Sequence, residues 1–271
     1  MGRILSSKVA SVVVLITGAA LAQAQTPSVA QGGVLNAANG ISPVTPGSLI
    51  SIYGTNLAGG LAQADTIPLS NSLNQVSVTI NGIPAPLLFV DSQQINAQVP
   101  WNVLQSGTSG TATIVVQNGT QISAPQNVQI GPFSPGIFAI NGTIGVAINN
   151  SDGTVAAPVG AIPGVNTRPA KVNDPLGLQI WCTGLGAVDS SIASGAASSD
   201  KLRNNTTIPQ VLVGGQPANV LFSGLTPYFV GVNQINITLP PGTPTGNAVP
   251  LQIVVGGITT SNTIIMAVEG Q

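Results

Sequence analysis

Residues Val76-Ser77-Val78-Thr79-Ile80-Asn81-Gly82 decide the fold class. Val76, Val78 and Ile80 alternate with Ser77 and Thr79, which is the period of a strand with one buried face. Asn81-Gly82 follows at once, and both residues tolerate the positive φ that a type I′ hairpin turn requires. The stretch therefore predicts a strand running into a hairpin. Residues 111–117 followed by Asn118-Gly119, 211–213 followed by Gly214-Gly215, and 251–255 followed by Gly256-Gly257 have the same form. Asp152-Gly153 predicts a further hairpin between residues 146–148 and Thr154-Val155. Past the N-terminal segment no stretch keeps helical periodicity over three turns.

The chain also repeats itself, which predicts two copies of one folding unit. Ile50-Ser51-Ile52-Tyr53-Gly54-Thr55-Asn56-Leu57 matches Leu178-Gln179-Ile180-Trp181-Cys182-Thr183-Gly184-Leu185. Gly82 to Phe89 matches Gly215 to Phe222, and Gln94-Ile95-Asn96 with Pro100 matches Gln234-Ile235-Asn236 with Pro240. Asn118-Gly119 pairs weakly with Gly256-Gly257, and Ser123 with Ser261. Gly33-Val34-Leu35-Asn36 loosely resembles Gly145-Val146-Ala147-Ile148-Asn149, which sets the first strand of each unit. The order is the same in both halves. Two domains are expected, at 31–132 and 139–271, joined by a short stiff connector at 133–138, Phe133-Ser134-Pro135-Gly136-Ile137-Phe138. Seven or so short strands per unit is the count of an all-β sandwich.

Composition narrows the function. Of 271 residues 43% are hydrophobic and only 5% charged, so the solvent face must be Ser, Thr, Asn, Gln and Gly. Six cations, none clustered, exclude a nucleic-acid partner, because phosphate contacts need grouped Lys and Arg. There is no histidine, which removes Ser-His-Asp and Cys-His catalysis and the usual zinc sites. The seven acids are scattered through expected loops and ends and form no local pair. The reading is not an enzyme, with no cofactor.

Arg3 and Lys8, the apolar run 9–21, and Ala22-Gln23-Ala24 form a secretory signal-peptide pattern, with cleavage expected after Ala24. No later segment has the length and apolarity of a membrane span. Cys182 is a lone cysteine among Leu178, Ile180 and Trp181, read as a small buried hydrophobe, with an intermolecular disulfide as the alternative. Asn149-Asn150-Ser151-Asp152-Gly153 offers oxygens for calcium but one carboxylate, so a plain hairpin turn is favoured.

Taken together, residues 46–57, 78–86, 94–101 and Ser134-Pro135-Gly136-Ile137-Phe138 resemble the uncharacterised C-terminal domain family abundant in exported acidobacterial proteins. Gly54-Thr55-Asn56-Leu57 is similar to the opening of IPT/TIG domains. The resemblance implies two tandem immunoglobulin-like β-sandwiches and an extracytoplasmic address, extracellular, cell-surface or periplasmic. It brings no catalytic residues and no ligand.

The expected function is a non-catalytic module for binding, adhesion or spacing, with an unknown protein or polysaccharide as partner. One alternative is a carbohydrate-binding protein using exposed aromatics. The candidates are Trp101, which leaves a strand after Pro100, and Tyr228-Phe229, which follow Pro227 in a loop; Tyr53 and Trp181, inside strands, read as core. Another alternative is a subunit that assembles by pairing strand edges.

Overall fold

The structure, a computed structural model, describes residues 25–105, 107–260 and 264–270. The signal-peptide expectation falls on residues 1–24 and lies outside them. No helix among the described residues is long and apolar enough to cross a membrane.

The first half contributes seven principal strands: β1 (Ser28–Asn36), β2 (Leu49–Thr55), β3 (Val76–Ile80), β4 (Leu87–Val90), β5 (Gln94–Gln98), β6 (Gly110–Asn118) and β7 (Gln126–Ile130). One sheet runs β1-β2-β5-β4 and the facing sheet β3-β6-β7. Four strands against three, in this order, is the arrangement of a constant-type immunoglobulin sandwich.

The second half repeats it with β8 (Ala147–Asn149), β9 (Leu178–Thr183), β10 (Gln210–Val213), β11 (Asn219–Leu225), β12 (Asn233–Thr238), β13 (Gly246–Val255) and β14 (Ile264–Glu269). Its sheets run β8-β9-β12-β11 and β10-β13-β14. Tandem immunoglobulin-like sandwiches are therefore the fold.

Each half buries its own alternating face. Val76, Val78 and Ile80 of β3 are buried while Ser77 and Thr79 are half-buried, so the opening stretch folds as its period dictates. One continuous core spans Val29 to Ile130 and a separate one Ile137 to Val268. A small third cluster, Val155, Ala157 and Ile162, lies in the insertion between β8 and β9.

Three turns form as expected. Asn81-Gly82, Gly214-Gly215 and Gly256-Gly257 all take positive φ, between residues that pair directly across each hairpin. Ile148 pairs Val155 across the Asp152-Gly153 turn.

One repeat correspondence needs correcting by a residue. β6 runs through Asn118, which pairs Gln121, so its turn is Gly119-Thr120. Ser123 exchanges two bonds with Val116, its N–H to Val116 O and its Oγ accepting Val116 N–H. Thr260 does the same with Ile253. Thr260, and not Ser261, is the counterpart of Ser123. A hydroxyl on either Ser or Thr serves that position, so residue identity misled where backbone pairing decides.

The joint between the halves is hydrogen-bonded through buried groups, and it also holds a cavity of about 180 Å³ lined by Thr45, Trp101, Phe133 and Gly186. Thr183, fully buried at the end of β9, accepts the Leu49 N–H of β2 at 3.1 Å and donates to Gly231 O at 2.7 Å. Asn36 Nδ2, buried at the end of β1, donates to Ser134 O at 2.7 Å. Gly136–Ile137, inside the expected connector, pairs with β9 as a short strand.

The loop from 185 to 209 reaches back onto the first sandwich. Gly195 N–H donates to buried Gln98 Oε1 at 2.6 Å, Leu69 N–H to Gly195 O at 2.8 Å, and Trp101 N–H to Ser194 Oγ at 3.1 Å. Gly195 has φ +85, and a Cβ there would come within 2.9 Å of Leu69 O, so only glycine fits without strain. Inside the same loop Arg203 is buried. It donates two bonds to Asp200 and one to Ser191 O, which closes the loop on itself.

Candidate functional site

Strand alternation decides which side chains the four-stranded sheets show to solvent. Ile50 and Ile52 of β2 point inward with no exposure, so Ser51 and Tyr53 point outward. Ile95 and Ala97 of β5 are likewise inward, which turns Gln94 and Asn96 out. Register then sets the rows: Tyr53 lies opposite Gln94, and Ser51 opposite Asn96. On the far side of β5, Phe89 of β4 lies opposite Asn96, because a bulge at Leu88 shifts β4 by one residue.

The second sandwich repeats this constellation. Trp181 lies opposite Gln234, Gln179 opposite Asn236, and Phe222 opposite Asn236 across a bulge at Leu221. The amides are tied in the same way in both copies. Gln94 Nε2 donates to Asn96 Oδ1 and Gln234 Nε2 to Asn236 Oδ1, each at 2.8 Å.

Tyr53 and Trp181 are therefore not core residues, as their strand positions suggested. Tyr53 is 42% exposed and Trp181 is half-buried. The inward positions beside them belong to Ile52 and to Ile180 and Cys182, and adjacent strand residues cannot share a face. The register of the Ile residues was the signal that pointed to this.

The expected contact residues fall in two places. Tyr228 is 73% and Phe229 44% exposed, and Phe229 packs on Trp181 with ring centroids 5.1 Å apart. Phe229 and Trp181 line an apolar groove of about 300 Å³ between the sandwiches, opposite Leu49, Leu69 and Leu88. Trp101 is half-buried, its six-membered ring against Gly47, and it lines a separate cavity with Thr45, Phe133 and Gly186. The structure does not bring Trp101 and the Tyr228-Phe229 pair into one site.

The charges of the second sandwich are mostly paired. Asp152 accepts Arg168 Nε at 2.5 Å, and Arg168 also donates to Ser151 Oγ. The hydrogen bonds from Arg168 and then Thr154 lower the Asp152 carboxyl to about pKa 2. Its counter-charge is thus the guanidinium of Arg168, which opposes a calcium ion in the 149–153 loop. Among the described residues no three metal-ligating side chains group together. Asp200 is lowered to about 2, first by its bond from Arg203. Cys182 has no exposure, its Sγ lies 3.7 Å from Asn233 O, and burial pushes the thiol far up. That position corrects the alternative of an intermolecular disulfide, since no second sulfur can reach a fully enclosed one.

Similarity to solved structures is distant. The extracellular region of plexin A4 aligns at 12% identity and a TM-score of 0.27, over 90% of this chain and 18% of that one. The chain thus spans less than a fifth of that protein's length. Domains 5–6 of the S-layer protein SbsC align at 14% identity and 0.24, over 89% and 99% of the two chains. InvD of Yersinia pseudotuberculosis aligns at 13% and 0.22, over 91% and 57%. No curated protein sequence matches this chain. Residues 38–130, from the turn after β1 to the end of β7, match the IPT/TIG domain family.

Proposed function

We propose that the chain is an exported, non-catalytic pair of immunoglobulin-like domains, residues 31–132 and 139–271 around a connector at 133–138, that binds, adheres or spaces at the cell surface or in the periplasm. In this reading it belongs with the exported acidobacterial family, and its two domains act as one stiff unit. The observation that carries the proposal is the joint: Thr183 bridges Leu49 and Gly231, and the loop at Ser194-Gly195 bonds to Trp101, Gln98 and Leu69. Relative motion is the default for linked domains, and hydrogen bonds between buried groups of both, as at Thr183 and Gln98, oppose it. The 1–24 pattern supports export.

Residual dipolar couplings on the purified protein test the stiff unit. Both domains should fit one alignment tensor; two tensors would defeat the proposal. N-terminal sequencing of the secreted protein should begin at Gln25.

A second reading, ligand contact through Tyr228 and Phe229, is favoured by their exposure beside the apolar groove. Trp101 belongs to it as a contact in a separate cavity of the joint. Tyr228→Ala and Trp101→Ala in a polysaccharide pull-down test it, and unchanged retention by both would remove it. Strand-edge assembly is a third reading, and light scattering that finds a monomer at high concentration removes it; the bulge in β11 at Leu221 already blunts that edge.

A further inference from the structure

The Gln-x-Asn motif repeats in both halves, yet neither core packing nor the joint uses its side chains. Its amides sit on the outer face of the four-stranded sheet, in a row flanked by aromatic rings. We propose that in the first domain this face, Tyr53 with Gln94, Asn96 and Phe89, is a binding platform for a neutral oligosaccharide. The platform lies within one domain, so the proposal goes beyond the stiff-unit reading and needs nothing from it.

The chemistry begins with the amides. Asn96 Oδ1 accepts from Ser51 Oγ at 3.0 Å and from Gln94 Nε2 at 2.8 Å. Both lone pairs of that oxygen are thereby used, which fixes the orientation of both amides. Among the described residues, nothing hydrogen-bonds to the Asn96 Nδ2 donors or the Gln94 Oε1 acceptor. A donor and an acceptor held side by side match adjacent hydroxyls of a sugar, each of which gives and accepts one bond. They are oriented before binding, so little rotamer entropy is lost on contact.

The rings supply the other half. A pyranose has an apolar C–H face that packs on an aromatic ring, while its hydroxyls need polar partners at the rim. Tyr53 is 42% exposed and directly opposite Gln94, and Phe89 is directly opposite Asn96. Gln63, exposed, pairs Phe89 and extends the polar row. Beside Tyr53 the β1 register slips between Val29 and Val34. That irregularity opens a concavity of about 370 Å³ lined by Ser28, Ala30, Tyr53, Gly54, Thr55 and Gln93. None of these residues is charged, and the neighbouring Asp91 carboxylate is engaged by the Gln93 and Gln94 N–H groups, which fits a neutral ligand.

The second domain shows what closes such a face. Its aromatic, Trp181, is capped by Phe229 and turned into the groove at the joint. Duplication made two platforms, and only the first is open.

The test is a ¹H–¹⁵N titration of the full protein with cellohexaose, xylohexaose, mannohexaose and chitohexaose, each to about 10 mM, where a millimolar affinity is resolved. At least one should move the Tyr53, Gln94 and Asn96 resonances saturably, including the side-chain amides of Gln94 and Asn96. Tyr53→Ala should weaken that binding about tenfold or more, which is about 1.4 kcal/mol. Tyr53→Phe, which keeps the ring, should hold binding within about threefold, and Gln94→Leu should weaken it with the melting curve retained. Absence of shifts with all four sugars overturns the proposal. So does unchanged binding by Tyr53→Ala, or a set of shifts centred on Tyr228 and Phe229.

Discussion

Thr183→Val is the sharpest perturbation of the joint, because it changes one buried hydroxyl to a methyl at nearly constant volume. The hydroxyl serves two backbone groups, the Leu49 N–H at 3.1 Å and the Gly231 carbonyl at 2.7 Å, and Thr183 has no exposure. Valine leaves both unpaired in a buried place. An orphaned buried donor or acceptor costs about 1–3 kcal/mol, so the pair should cost about 2–6 kcal/mol. For a protein of this size that corresponds to a fall in Tm of about 5–15 °C. The loss should also be uneven. Leu49 belongs to the first domain and Thr183 to the second, so the variant should weaken their coupling more than either core. Urea unfolding followed separately through Trp101 and Trp181, each with the other indole replaced by Phe, reads both quantities. Wild type should give coincident transitions, and Thr183→Val two separated ones. Thr183→Ser keeps both bonds and should cost about 1 kcal/mol for the lost methyl, with coincident transitions. A valine variant within about 0.5 kcal/mol of wild type, still in one transition, would refute the idea that this hydroxyl locks the domains.

Other consequences are independent of the joint. Asp152 and Asp200 titrate near pKa 2 in the folded protein, below the unfolded carboxylate value of about 3.9. Their stabilisation is therefore present above about pH 4 and lost as pH falls toward about 2; urea midpoints at pH 6 and 2.5 should differ, and less so in Asp152→Asn. Cys182 should be silent to Ellman's reagent in the native protein and react fully once unfolded, because no solvent reaches its sulfur. Ile52→Ala and Ile180→Ala should each cost about 2–5 kcal/mol, and amide exchange should localise each loss to the domain that carries the substitution, since the two cores are separate.

The repeat shows where sequence reasoning holds and where it slips. Gly82 and Gly215, or Gln94 and Gln234, occupy equivalent places because each is fixed by a turn or by a run of alternating residues close by. The Ser123 correspondence slipped by one because it rested on a single shared residue, while the hydrogen bond it makes admits Ser or Thr. Tyr53 and Trp181 slipped for a different reason. An aromatic in an apolar stretch reads as core until its register against Ile52 and Ile180 is counted, and the strand period then puts it outside.

Local chemistry determined the strands, the hairpin turns, the existence of two copies and the lack of histidine chemistry, because each depends on residues near one another in the chain. Tertiary structure alone decided the rest. Leu49 and Thr183, or Gln98 and Gly195, are about a hundred or more residues apart, and no periodicity links them. Whether an aromatic on a sheet face is open, as Tyr53 is, or capped, as Trp181 is by Phe229, depends on how a distant loop folds over it. Two duplicated strands with nearly the same local pattern thus end in different surroundings, because contacts between domains follow the path of the whole chain and not the period of any one strand.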